Sequence, residues 1–147
     1  MSIIVDLADE VKAHIQPLTL SESHSTDRVY TLDLNSENID GAMVHVLPTP
    51  PEVSLYNRSN YQWDISINVV LTTRVGHSPA ATVISLIDVA MDDVEILMDA
   101  FKGVSFTINS KTHRVLGITQ ASIYDDVTLR DDGVFQSVFT IGFKVIR

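Results

Sequence analysis

Residues 61–75, YQWDISINVVLTTRV, constrain the fold more than any other stretch of this chain. The odd positions are Tyr61, Trp63, Ile65, Ile67, Val69, Leu71, Thr73 and Val75; the even ones are Gln62, Asp64, Ser66, Asn68, Val70, Thr72 and Arg74. Only Val70 interrupts the two-residue alternation, and β-branched and aromatic residues dominate. Such a run predicts one long strand with a buried face and a wetter face. At about 3.3 Å per residue it reaches roughly 50 Å, far beyond a usual strand. It therefore spans a whole sheet or runs past it as a hairpin arm.

The rest of the chain arranges itself around that strand. Ser2 is placed to cap a first helix in which Ile4, Leu7, Ala8, Val11 and Ile15 recur every three or four residues, and Pro17 stops it. Residues 19–26 read as a Ser/Thr-rich loop. Residues 28–34 read as a strand with Tyr30, Leu32 and Leu34 on one face. Residues 35–41 carry turn chemistry, and residues 42–47 form the next strand. Residues 48–60, PTPPEVSLYNRSN, read as an extended loop stiffened by Pro48, Pro50 and Pro51. A loop of that length in a compact domain commonly contacts a partner.

After Gly76 and His77, Ser78 and Pro79 suit an N-cap and first helical position. Residues 82–101 form the strongest helix, with Val83, Ile87, Ala90, Met91, Val94, Leu97, Met98 and Phe101 on one stripe and Gly103 beyond its end. Ile84, Leu86 and Val89 widen the apolar arc, which fits a second contact against a neighbouring subunit. Residues 104–108 are a short strand, and residues 109–113 a polar hairpin tip. Residues 114–124 read as a strand slipping near Gly117, and residues 125–133 as a polar connection ending in Asp-Gly. Residues 134–146 close the chain with Phe135, Phe139, Ile141, Phe143 and Val145 on one face. The predicted fold is α+β: a mostly antiparallel sheet, two amphipathic helices packed on one face, and a single domain over residues 1–147.

Composition narrows the function classes. The chain has no cysteine, which removes disulfides and thiolate metal sites. Its N-terminal MSIIVDLADEV lacks a basic segment, so neither a signal peptide nor a membrane span is expected, and synthesis in the cytoplasm follows. A formal charge of −9 with scattered Lys and Arg opposes tight phosphate-backbone binding. The five histidines show no metal-ligand spacing, the glycines form no phosphate cradle, and no nucleophile motif occurs. Neither enzyme activity, cofactor nor metal is expected. Asp92, Asp93 and Glu95 cluster on the second helix, where a solvated acidic face is the plain reading.

Taken together, four stretches resemble the small neck or tail-terminator proteins of tailed bacteriophages, the tail-completion group of the head–tail junction. They are LADEVKAHI, NYQWDISINVVLTTRV, VISLIDVAMDDVEILMDAF and the closing LRDDGVFQSVFTIGFKVIR. In that group an aromatic-led alternating strand enters a helix with spaced Ile, Leu and Asp, and a "gvF" strand commonly ends the chain. The likeness runs over most of the chain and is weakest across residues 19–58. The resemblance implies a virion structural protein forming a homo-hexameric ring that caps the tail tube and joins it to the neck or connector protein. DNA would pass through the lumen without sequence-specific binding, and no membrane is involved. Partner contacts are expected at Pro48, Pro50, Pro51, Tyr56 and Arg58, then at Lys111 and His113. Asp92, Asp93 and Glu95 are the expected acidic lumen or interface residues. The competing classes are another phage tail subunit (tube or baseplate) and a small intracellular ligand-binding domain with a closed apolar pocket.

Overall fold

A computed structural model describes residues 2–21, 23–32, 41–76, 80–120 and 124–147. Along the chain run α1 (Ile3–Ile15), β1 (His24–Arg28), β2 (Ala42–Pro48), β3 (Glu52–Leu55), β4 (Tyr61–Arg74) and α2 (Ala80–Asp99). There follow β5 (Ser105–Ile108), β6 (Lys111–Arg114), β7 (Gly117–Thr119), α3 (Asp126–Asp132) and β8 (Val134–Ile146). The fold is α+β. The main sheet has the order β1-β2-β4-β8-β7, with β3 extending it beside the first residues of β4; β5 and β6 form a separate hairpin. Among the described residues every pairing is antiparallel except β1 with β2.

β4 is the axis, as its alternation requires. It pairs with β8 from Gln62↔Ile146 to Arg74↔Val134, and with β2 from Ile67↔Pro48 to Thr73↔Ala42. Register puts Ile65, Ile67, Val69 and Leu71 on the same face as Val44 and Val46 of β2 and Phe139, Ile141 and Phe143 of β8, all buried. Leu7, Ala8, Val11 and Ile15 of α1 and Ala90, Val94 and Leu97 of α2 complete the same cluster, so both helices cover that face. Phe101, just past α2, sets its ring 6.3 Å from Phe139 and 5.0 Å from the His14 imidazole. His14 Nε2–H donates to the Ala100 carbonyl at 2.7 Å, tying α1 to the end of α2.

Several expectations need correction. The strand expected at 28–34 lies earlier, at His24–Arg28, within what reads as a loop. Its core-facing residues are polar: Thr26 is buried, and Arg28 Nε donates to Asp9 of α1 at 2.7 Å. Tyr30 instead stands in solvent. The expected loop at 48–60 contains β3, antiparallel to β4. The polar tip at 109–113 is a two-residue turn, Asn109 and Ser110, both left-handed (φ 50° and 64°), with 111–114 already strand. Such a pair of positive φ values is what a tight hairpin with the natural strand twist needs.

The expected polar connection at 125–133 contains a third helix. Asp125 caps α3 by accepting from the Val127 and Thr128 amides, bonds that hold its carboxyl below the usual range. Gly133 ends it at φ 64°, and its carbonyl accepts from Val75 and Gly76. Of the strand expected at 114–124, Gly117–Thr119 pairs with β8. Ser2 stands at the N-cap of α1 without a side-chain capping bond. The expected Ser78 cap with Pro79, residues 33 and 34 of the strand expected at 28–34, the turn at 35–40 and residues 121–123 lie outside the described residues.

Candidate functional site

Strand and helix lengths set the geometry of the candidate surface. Fourteen residues of β4 extend roughly 46 Å, while the twenty of α2 rise about 30 Å. β3, the turn after it and Tyr61 form an exposed edge arm, whereas Trp63 packs against the core and the end of β8 lies beside Ile3 and Asp6 of α1 and Ile108 and His113 of the β5–β6 hairpin. Val53, Trp63 and Val145 form one cross-strand row, and Leu55 and Tyr61 begin the next. Arg147 completes that second row, since its amide and carbonyl exchange hydrogen bonds with those of Tyr61 at 2.9 and 2.6 Å. By alternation these residues continue the core-facing side of the sheet, yet Leu55 is 69% and Tyr61 54% exposed. The Arg147 guanidinium stacks over the Trp63 ring, 5.0 Å from its centroid.

The tip closes by local chemistry. Asn57 Oδ1 accepts from the amides of Ser59 and Asn60, both at 2.9 Å, and the Asn60 carbonyl accepts from Tyr56 and Asn57. This turn carries Arg58 at its exposed apex. Of the expected partner-contact residues, Tyr56 and Arg58 thus stand on the arm. Pro48 ends β2 and is half-buried opposite Ile67, while Pro50 is exposed and Pro51 half-buried in the link to β3. Lys111 is exposed at the start of β6. His113 is not a tip residue: it faces Phe106 across the hairpin and is only 7% exposed. Burial is also the main cause that pushes its pKa down, with Lys111 adding to it.

The acidic cluster divides in the same way. Asp92 and Glu95 are exposed, but Asp93 is 4% exposed and accepts from Ser21 N at 2.9 Å and Ser21 Oγ at 2.5 Å. It fastens the segment after α1 to α2 and leaves the set of surface acids. On the flank of α2, Leu86, Val89 and Ile96 are exposed, beside the exposed Asp88, Asp92 and Glu95. Leu86 and Val89 also line a cleft of about 350 Å³ with Ser21, Leu71, Thr73 and Asp93, a mixed polar and apolar lining. Sequence reading placed Val53 and Leu55 in the candidate loop without seeing their strand, and missed Ile96 and Arg147 as surface candidates. The alternation of Val53 and Leu55 with Glu52 and Ser54 was the available signal, masked by the prolines before it.

The sheet face opposite the helices carries a second feature. His45 and Val70 are paired across β2 and β4, with Asp27 of β1 in register beside His45. His45 Nδ1 and Thr72 Oγ1 are buried there without a hydrogen-bond partner. Desolvation pushes the His45 pKa down, against the opposing pull of Asp27. Among the described residues no group of three or more His, Asp or Glu is placed to hold a metal ion. No described helix is long and apolar enough to cross a membrane. No family model matches this chain, and a search of curated proteins finds no match either.

Proposed function

We propose that this protein is a virion structural subunit of the head–tail junction, a ring-forming protein that caps the tail tube and docks to the neck. The observation that carries this reading is the exposed edge arm, which presents Val53, Leu55, Tyr61 and Arg58 to solvent. Soluble monomers seldom maintain a stiff apolar strand edge without a partner for it. The sequence resemblance names a class in which such an edge has a task, and the acidic balance of −9 suits a channel through which DNA slides without adhering.

The test is binding to assembled tail tubes. Purified protein mixed with tubes is expected to decorate one tube end, visible by negative-stain imaging, and to halt further elongation by added tube subunits. Protein that leaves tubes bare and growing would overturn the proposal.

A further inference from the structure

We propose that the cleft between α1, the β5–β6 hairpin and the end of β8 binds a small amphiphilic acid: one carboxylate on an apolar body of about benzene size. The cleft measures about 150 Å³, and Ile3, Ile108 and Val145 give it an apolar lining from all three elements. An apolar space of that volume takes a single six-membered ring. His113 marks where the polar end belongs. It is only 7% exposed, lines the cleft, and its ring makes no hydrogen bond among the described residues. Burial and the nearby Lys111 hold its pKa low, so at pH 7 the neutral imidazole has one N–H to donate to an acceptor in the cleft.

Charge fixes the sign of that acceptor. Lys111 and Arg147 both line the cleft against a single acid, Asp6, although acids outnumber Lys and Arg nineteen to ten in the chain. Lys111 has no ion-pair partner among the described residues. Arg147 stacks on the Trp63 ring, which steadies the guanidinium without neutralising it. Asp6 also lines the adjoining groove with Asp9 and Glu10, and a second negative group on the ligand would meet those acids. That arrangement admits a monocarboxylate and opposes phosphate esters and nucleic acid. The site stands apart from the tail-tube reading, and either can fail alone.

The probe is cyclohexanecarboxylate, added at pH 7 and constant ionic strength while NMR follows the ring protons of His113, identified by their loss in His113→Gln. A saturable movement of that signal is expected, with a Kd on the order of 1 mM for a ligand of about nine heavy atoms. Cyclohexanemethanol has the same body without charge, and cyclohexylmethylammonium carries the opposite charge. Each is expected to bind at least about fivefold more weakly than the acid. Lys111→Ala combined with Arg147→Ala, both exposed positions, is expected to weaken the acid by a similar factor, with the fold verified by circular dichroism. A His113 signal that stays still at tens of millimolar acid overturns the proposal. Equal or tighter binding of the alcohol or the ammonium ion overturns it too, by making the cleft merely apolar or governed by Asp6. Unchanged affinity in the double variant does the same.

Discussion

Asp93 offers the sharpest test of how the structure reassigns a residue that looks like surface. Its carboxylate accepts two hydrogen bonds from Ser21 at 2.9 and 2.5 Å, and it is 4% exposed. Hydrogen bonds to a charged group contribute about 1.5–3 kcal/mol each, but burying the carboxylate offsets much of that. Ser21 itself is exposed, so its amide and hydroxyl regain water once the acid is gone. Asp93→Ala is therefore expected to cost about 1–2 kcal/mol. At about 2–4 °C per kcal/mol for a chain near this size, the melting temperature falls by roughly 2–8 °C. The exposed neighbour Asp92→Ala should stay within about 0.5 kcal/mol of the parent. A double-mutant cycle with Ser21→Ala, read by urea denaturation, isolates the hydroxyl bond, with a coupling of about 1 kcal/mol expected. Equal effects at 92 and 93, or zero coupling with Ser21, would refute the argument that Asp93 is a fastener.

Further outcomes follow from the core, one turn and two imidazoles. Phe139→Ala empties a fully buried site beside Phe101 and should cost about 3–5 kcal/mol by chemical denaturation. Gly133→Ala forces a side chain onto φ 64° at the end of α3 and should cost about 1–2 kcal/mol, with the fold retained by circular dichroism. His45 and His113 both have pKa values lowered mainly by desolvation, so the unfolded chain takes up protons that the folded chain refuses. Their share of stability is present above the ordinary histidine value of about 6.5 and is lost as pH falls from there through the folded values. Urea midpoints should therefore drop between about pH 7 and pH 5, and His45→Gln should flatten that slope.

The long periodic elements were legible in the sequence because each one's burial pattern is written in its own residues: α1, α2, β4 and β8. Where burial depends on a distant partner, local pattern fails. β1 (HSTDR) has no apolar signal; it is a strand because β2 pairs with it and Asp9 receives Arg28. The more apolar VYTL just after it looked better and is not strand. α3 hid behind Asp-Asp-Gly, although an Asp at the cap and a Gly past the end are helix signals as much as turn signals. Among the candidate site residues, the exposure of Tyr56 and Arg58 was readable from the loop that bears them. The burial of Asp93 and His113 was not, since only Ser21 and Phe106, brought in by the fold, reveal it.

The pairing of β4 with β8 also governs when this chain can fold. A ribosome emits β4 first and then α2, β5, β6, β7 and α3 before the strand that completes its other side. Throughout that interval Ile65, Ile67, Val69 and Leu71 lack the phenylalanines that will cover their flank, and one edge of β4 is open to any passing strand. Such long-range pairing folds slowly and favours intermolecular mistakes at high synthesis rates. Yield of soluble protein should therefore respond to translation speed and chaperone supply before it responds to the stability of the finished fold.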